Sequence, residues 1–526
     1  MTMRRLSVAL LALGIVGGLA FGQEAPAQAQ TQAQGLTLTL EDSIVRALKN
    51  NLNVAAQVIA PGLAAENVSL AKQMYTPTLA LDLSGNHFEQ LSTYSLQIQG
   101  TYVNKSTSSS ATITQRIPFG GTFQAAVDYN YSHSNQLFQS YNPYYQGTLN
   151  FVLTQPLLKN FGWRVSRHQI LVAESSFAAS RSQFKSVLIN TIYSVEEAYW
   201  NLVYSIEYLK TLRQSLDSGR DLLAKTRREV EVGTKAPIEV LNAEATVARR
   251  EADILQAEAL VKRNQDLLRT LMNLGASPAG ERQDLVPVDK PEFKPYAITL
   301  DEAYAQAIAR RPDLETYRSQ IETKMVNYKY QKNQRLPQLD LQLIKVSPGI
   351  SGQQYIYDAE NPFLPPTPGA PGSAGEAFRD AFKFLYNNWT AGVTLTVPFG
   401  DVFGKAAYAY AKLDLEQSQA QLKTQEQQVF LEVSDAIRTL ETAAKSVDAY
   451  RIARELAERQ LEAEMKKLSV GMSTNYFVLT YQDALASARS AELRSLVDYN
   501  VALANIAKVT GTTLEQRNVS LADYIK

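Results

Sequence analysis

Residues 188–209 read LINTIYSVEEAYWNLVYSIEYL, and their spacing decides the architecture. Leu188, Ile192, Val195, Tyr199, Leu202, Ile206 and Leu209 recur at alternating steps of four and three, a sustained heptad seam along one side of a helix. The seam thins to Leu216, Leu223 and Val230. Taken from Arg164 to Val230 the helix holds 67 residues (230 − 164 + 1), roughly 100 Å of rod. A compact domain has no use for one so long. The rod halts at Val232-Gly233-Thr234 and resumes after Pro237, where Ile238, Leu241, Ala245, Ala248, Ala252, Leu255 and Ala259 again step by three and four. Glycine permits a tight reversal and proline suits a first helical turn, so this is the tip of a helical hairpin.

The two ends and the composition narrow the function. Residues 1–22 carry Arg4 and Arg5, an apolar run from Leu6 to Ala20 and small residues before Gln23, the pattern of a cleaved signal peptide with a second cleavage site at 29. No later stretch offers the roughly 18 consecutive apolar residues of a membrane helix, so a place in a membrane would have to be taken by strands. Cysteine is absent, which excludes disulfides, thiolate metal sites and an acylated cysteine after cleavage. Net charge is zero, with 52 basic and 52 acidic residues, and gives no footprint for nucleic acid. His87, His133 and His168 share no ligand spacing. No phosphate loop, nucleophile elbow or HExxH is present, and paired acids such as Glu196 and Glu197 sit on a long helix, where a solvated face is the ordinary reading. Neither an enzyme nor a cofactor is indicated.

The hairpin is made twice. Thr39-Leu40-Glu41-Asp42 and Thr299-Leu300-Asp301-Glu302 both read as capped helix starts, 260 residues apart. Pro77 and Pro337 stand at the same offset, each leading into alternating leucines: Leu79, Leu81 and Leu83, then Leu339, Leu341 and Leu343. Gln155-Pro156-Leu157-Leu158 through Gly162 matches Val397-Pro398-Phe399-Gly400 through Gly404 at an offset of 242, and Val232-Gly233 matches Val470-Gly471 at 238. These marks predict a signal peptide 1–22, a linker 23–37, and a first repeat 38–275 (helix 39–75, strands 77–156, long helix 163–231, tip 232–237, helix 238–274). They predict next a connector 276–298, then a second repeat 299–512 (helix 299–335, strands 337–398 around a loop 347–388, long helix 404–469, tip 470–475, helix 476–510) and a tail 513–526.

The strands alternate strictly. Over 145–153 the odd positions are Tyr, Gly, Leu, Phe and Leu and the even ones Gln, Thr, Asn and Val; over 389–397 Trp, Ala, Val, Leu and Val alternate with Thr, Gly, Thr and Thr. An apolar face of this kind meets a second sheet in a sandwich, or lipid in an outer-membrane barrel whose polar face lines water. Tyr129, Tyr131, Tyr141, Tyr144, Tyr145, Tyr386 and Trp389 supply the aromatics of an interfacial girdle. The first copy is longer by 18 residues (260 − 242) and must cross an even number of times to return to one side, giving it two strands or four.

With the duplicated layout, the two strand exits and the two Val-Gly turns in this order, the chain resembles the TolC family of outer membrane efflux proteins over about Leu38 to Thr512. The resemblance implies a mainly α fold with a membrane β-barrel: a homotrimer whose strands close one barrel in outer membrane lipid, whose long coiled-coil helices form a periplasmic α-barrel, and whose connector and tail build an equatorial region. It implies a passive duct for a tripartite efflux pump or type I secretion system, served by a periplasmic adapter and an inner membrane pump of RND or ABC type. Adapter docking then falls on Val232, Gly233 and Thr234 and on Val470, Gly471, Met472 and Ser473. Where family members carry gating aspartates past the second tip, this chain has Phe477 and Thr480; Glu239 or Asp483 would have to supply an acidic ring, and Phe477 offers a hydrophobic constriction instead. A heavy-metal conduit of the same fold and a non-transporting envelope coiled coil are the rival readings.

Overall fold

The computed structural model describes residues 35–91, 100–275, 283–400 and 402–524. The signal peptide, nearly all of the linker and 276–282 of the connector lie outside them. In chain order the elements are β1 (Leu36–Leu38), α1 (Leu40–Asn50), α2 (Leu52–Gln57), α3 (Ile59–Lys72), β2 (Thr78–Leu91), β3 (Thr101–Arg116), β4 (Thr122–Ser134) and β5 (Tyr141–Pro156). There follow α4 (Trp163–Ser166), α5 (His168–Glu231), α6 (Ile238–Met272), β6 (Leu285–Pro287), α7 (Leu300–Arg310), α8 (Pro312–Gln334), β7 (Gln338–Ile356), β8 (Thr367–Pro371), α9 (Ala374–Phe382), β9 (Asn388–Thr396), α10 (Val402–Ser469), α11 (Asn475–Thr510) and α12 (Thr513–Gln516).

Helices α5 and α10 have 64 and 68 residues, each about 100 Å long. α5 packs on α6 and α10 on α11, while α8 lies against both long helices and α3 against α5. The seam residues Leu188, Ile192, Val195, Tyr199 and Leu202 are fully buried. They form one core with Leu38, Leu268 and Met272; Val429, Val433 and Leu440 form a second with Leu314 and Tyr499. Between them runs the irregular segment after β6. The Tyr199 hydroxyl donates to Asp289 (2.9 Å) and lies 3.1 Å from the Leu38 carbonyl of β1, and Tyr499 donates to the Lys294 carbonyl (2.6 Å), so each phenol buries its ring in a core and turns its polar end to the connector. β1 and β6 pair in parallel beside them.

Three of the helices expected to run unbroken are interrupted, over 39–75 at Asn51, over 299–335 at Arg311 and over 163–231 at Arg167, which separates α4 from α5. Asn51 is extended, closes α1 and caps α2 by accepting from Asn53 and Val54 amides (2.8 and 3.2 Å). Arg311 is extended because Pro312, the first residue of α8, excludes the helical conformation before it. The breaks at Asn51 and Arg311 stand 260 residues apart (311 − 51). The run Leu52–Tyr75 has the length and mean hydropathy of a membrane span, contrary to the sequence reading, yet it is broken at Val58 and packs along α5.

One antiparallel sheet is ordered β2-β3-β4-β5-β7-β9, with the short β8 added at the far end of β7. The first half of the chain therefore gives four strands. The stretch 347–388, expected as a loop, is corrected: β7 continues to Ile356, and β8 and α9 follow. Its small residues Ser347, Gly349 and Ser351 hid the strand because the face they occupy is covered by α9, as described below.

Candidate functional site

The two tips lie side by side at the far ends of α5 and α10. Gly233 and Gly471 take φ of +78° and +79°, the left-handed conformation that ends a helix. The amide of Thr234 reaches the Glu229 carbonyl (2.9 Å) and that of Met472 the Lys467 carbonyl (2.9 Å), so both turns close with the same wide hydrogen bond. Asn475, fully buried at the start of α11, donates to Thr226 (2.6 Å) and accepts from Lys235 (2.6 Å), which also pairs with Glu229 (3.1 Å). In the second turn Ser473 donates to Glu464 (2.5 Å), and this bond with the Lys467 ion pair (3.1 Å) holds the Glu464 carboxyl below its ordinary range. A hydrogen-bonded base therefore carries three apolar side chains, Val232, Val470 and Met472, each at least 69 % exposed.

The four candidate gate residues are not brought into one cluster. Phe477 is exposed on α11 beside Tyr476, with ring centroids 5.7 Å apart, and Thr480 bonds back to the Tyr476 carbonyl (2.9 Å). Glu239 lies in the first turn of α6, its Oε2 enclosed without a partner. Asp483 is not a free acid: it takes Arg249 and, at 2.7–2.9 Å, the buried Arg250, both from α6. Arg250 also donates to the Ser215 carbonyl (2.5 Å), and its guanidinium passes Gly219, where a Cβ would lie 2.6 Å away. This join of the two hairpins was not anticipated. A glycine inside a helix at Gly219 was its one visible sign.

The sheet register sorts its side chains. Directly paired residues share a face, and from β2 to β9 the ladders match odd with odd, as in Leu81 with Ala111, Ala111 with Val127, Val127 with Leu149, Leu153 with Leu343 and Leu341 with Val393, until a register shift at the far end of β5 sets Tyr141 against Gln354. The odd face is thus apolar across the sheet near the strand exits, with Leu79, Leu81, Leu83, Ile113, Val393 and Leu395 exposed to the surroundings, and turns polar farther along β2 (His87, Glu89), β3 (Thr107, Lys105) and β7 (Lys345, Ser347). The even face carries a polar ladder in which Ser108 donates to Asn130 (3.0 Å), Ser132 to Asn104 (2.8 Å) and Ser110 to Asp82 (3.4 Å). Both sheet edges, β2 and β9, lack a partner strand among the described residues.

The sequence pattern of the family described as "Outer membrane efflux protein" matches residues 129–274 and 303–512, more than half of the chain. The chain belongs to the outer membrane efflux protein family. This efflux protein is 23 % identical over 497 residues to the outer membrane efflux protein BepC of Brucella suis biovar 1, covering 94 % of this chain and 90 % of BepC. It is 22 % identical over 414 residues to the proteases secretion protein PrtF of Dickeya chrysanthemi, covering 76 % and 81 %. Its fold matches the Campylobacter jejuni CmeC outer membrane channel with a TM-score of 0.62 at 14 % identity, over 96 % of this chain and 99 % of that one. An efflux channel of the outer membrane is accordingly its class of function.

Proposed function

We propose that three copies close their sheets into one barrel in the outer membrane, and that the long helices continue the bore through the periplasm as an α-helical tunnel. The observation that carries this reading is the six-strand sheet with a lipid-compatible odd face, a water-compatible even face and two unpaired edges. Unpaired edges are not tolerated in lipid, and six strands do not close a water-filled barrel, so β9 of one copy pairs with β2 of the next. Three times six gives 18 strands, inside the known barrel range. The duct is passive: an inner membrane pump drives transport, and a periplasmic adapter seats on Val232, Gly233, Thr234, Val470, Gly471, Met472 and Ser473. The names of BepC and PrtF support efflux and protease secretion as the two kinds of traffic open to it. Phe477 and Thr480 form the inner constriction, with Glu239 as the remaining candidate acid, since Asp483 is neutralised by its two arginines.

The test is native mass together with planar-bilayer conductance of the detergent-extracted protein. A trimer with small conductance that Phe477→Ala enlarges is the expected result. A folded oligomer that conducts no ions, before or after Phe477→Ala and Glu239→Ala, would leave the non-transporting envelope rod as the answer.

A further inference from the structure

Helix α9 packs on the apolar face of the sheet, and every residue it meets there has an odd number. Phe378 stacks on Tyr129 (5.8 Å between centroids), Ser347 donates to the Ala381 carbonyl (2.6 Å), and Ser351 donates to Glu376 (3.1 Å). Gly147 and Gly349 leave the room: a Cβ on Gly349 would overlap the Ala377 carbonyl, and one on Gly147 would lie 3.1 Å from Phe378. Ala377 and Ala381 are fully buried against the sheet. The helix is therefore seated on the outer wall, on the side opposite the polar ladder.

Its position coincides with a gap in the belt. Along β7 the odd residues are Leu339, Leu341 and Leu343, then Lys345, Ser347, Gly349 and Ser351, so the apolar part spans about 13 Å along the strand. A lipid-facing band is about 25 Å tall. α9 covers the polar and glycine stretch, and the segment from its last turn into β9 turns Phe382, Phe384, Leu385, Tyr386 and Trp389 outward, with Trp389 68 % exposed. The charges of the helix are mutually paired, Lys383 with Asp380 (3.4 Å) and Arg379 with Glu376 (3.7 Å), the acid that also holds Ser351, so it carries no net charge to an interface. Pairing of β9 with a neighbouring copy would use the strand's edge and leave the face bearing Trp389 open.

We propose that α9 and residues 382–389 form a lipid-contacting collar on the outside of the barrel, completing its apolar belt at the outer membrane–water boundary, with the lipid surface as partner. The collar rests on the barrel reading given above. Its paired charges lie among headgroups, and its aromatic end reaches the upper acyl chains.

The chain has no cysteine, so single labels are clean. Nitroxides at Phe382→Cys, Tyr386→Cys and Leu81→Cys are read in the trimer reconstituted into phosphatidylcholine–phosphatidylglycerol vesicles, comparing collisions with oxygen (lipid) and with a nickel chelate (water). All three are expected to favour oxygen, and Gly349→Val, which unseats α9, is expected to shift positions 382 and 386 toward the chelate by several fold while 81 stays in lipid. Oxygen access at 81 with chelate access at 382 and 386 overturns the collar alone. Chelate access at all three overturns the barrel. Low access to both probes at 382 and 386 means that a neighbouring copy covers them, and also overturns the collar. Should Gly349→Val fail to assemble, the unmodified trimer with the three labels decides.

Discussion

Cutting the join between the hairpins from its two sides will cost different amounts. Arg250 is 4 % exposed at its side chain and Asp483 33 %. Removing one partner of a buried pair costs about 3–5 kcal/mol because the other charge is stranded. Asp483→Ala strands Arg250, which keeps only Ser215, Leu479 and Gln482 as acceptors and has no access to water, so the loss is about 3 kcal/mol at the low end of that range. Arg250→Met refills the same volume and strands an aspartate that keeps Arg249 and is one-third solvated, so its cost is discounted to about 1–2 kcal/mol. A trimeric membrane protein does not unfold in two states, so the readout is local: amide hydrogen exchange around Leu222, Leu223, Val247 and Leu479. At 1.36 kcal/mol per tenfold, protection there falls about 150-fold in Asp483→Ala and about 5- to 30-fold in Arg250→Met. Amides of 188–202, in the other core, stay unchanged. Equal losses in the two variants, a larger loss in Arg250→Met, or loss extending into 188–202 would refute the reasoning.

Val470→Asp with Met472→Asp should leave trimer mass and bilayer conductance unchanged and abolish efflux in cells, since both side chains project into water and hold nothing in place; a drop in trimer mass would instead make them structural. Gly511→Ala should lower the thermal midpoint in detergent, at a cost of about 1–2 kcal/mol, because φ is +73° and the new Cβ would lie 3.0 Å from the Arg310 carbonyl group. Gly62→Ala, on an exposed turn of α3 with nothing nearby, should shift the midpoint upward instead, by about 0.5–1 kcal/mol. Burial pushes the Asp313 carboxyl up, but the Arg311 bonds outweigh it and hold its pKa below the ordinary 3.8. A folded-state value below the unfolded one stabilises above that range and is lost as pH falls through it. Exchange protection in α8 should therefore drop below about pH 4, and Asp313→Asn should remove that acid step.

The long-range plan was legible because it rests on periodicities that tertiary context does not override. The buried seam at Leu188, Ile192, Val195, Tyr199 and Leu202, the Val-Gly turns and the odd–even split of the strands stand where spacing placed them. What escaped was local or three-dimensional. Pro312 was a readable stop that the duplicate register overrode, and Asn51 acts as a cap only because its extended backbone lets the side chain turn back. The pattern Ser373-x-x-Glu376 is a capping box and did announce α9; the surrounding prolines and glycines concealed it. Arg250 could not have been found from spacing, since Asp483 is 233 residues away and a charged residue on a helix ordinarily reads as an exposed one.

Strand parity explains how the two halves differ without disturbing the helices. On the proposed assembly each half leaves the helical end, crosses the membrane and returns, so it spends an even number of strands: four in the first and two in the second. The second half uses residues between β7 and β9 for β8 and α9 instead of a further hairpin. Because β3 and β4 run antiparallel, removing the pair would leave β2 antiparallel to β5 and both exits at the same end. The barrel would narrow by two strands per copy while the entry to α5 stayed in place. The bore within the sheet is therefore set by a hairpin that the helical tunnel does not feel, and the outer wall is completed by a helix that the bore does not feel.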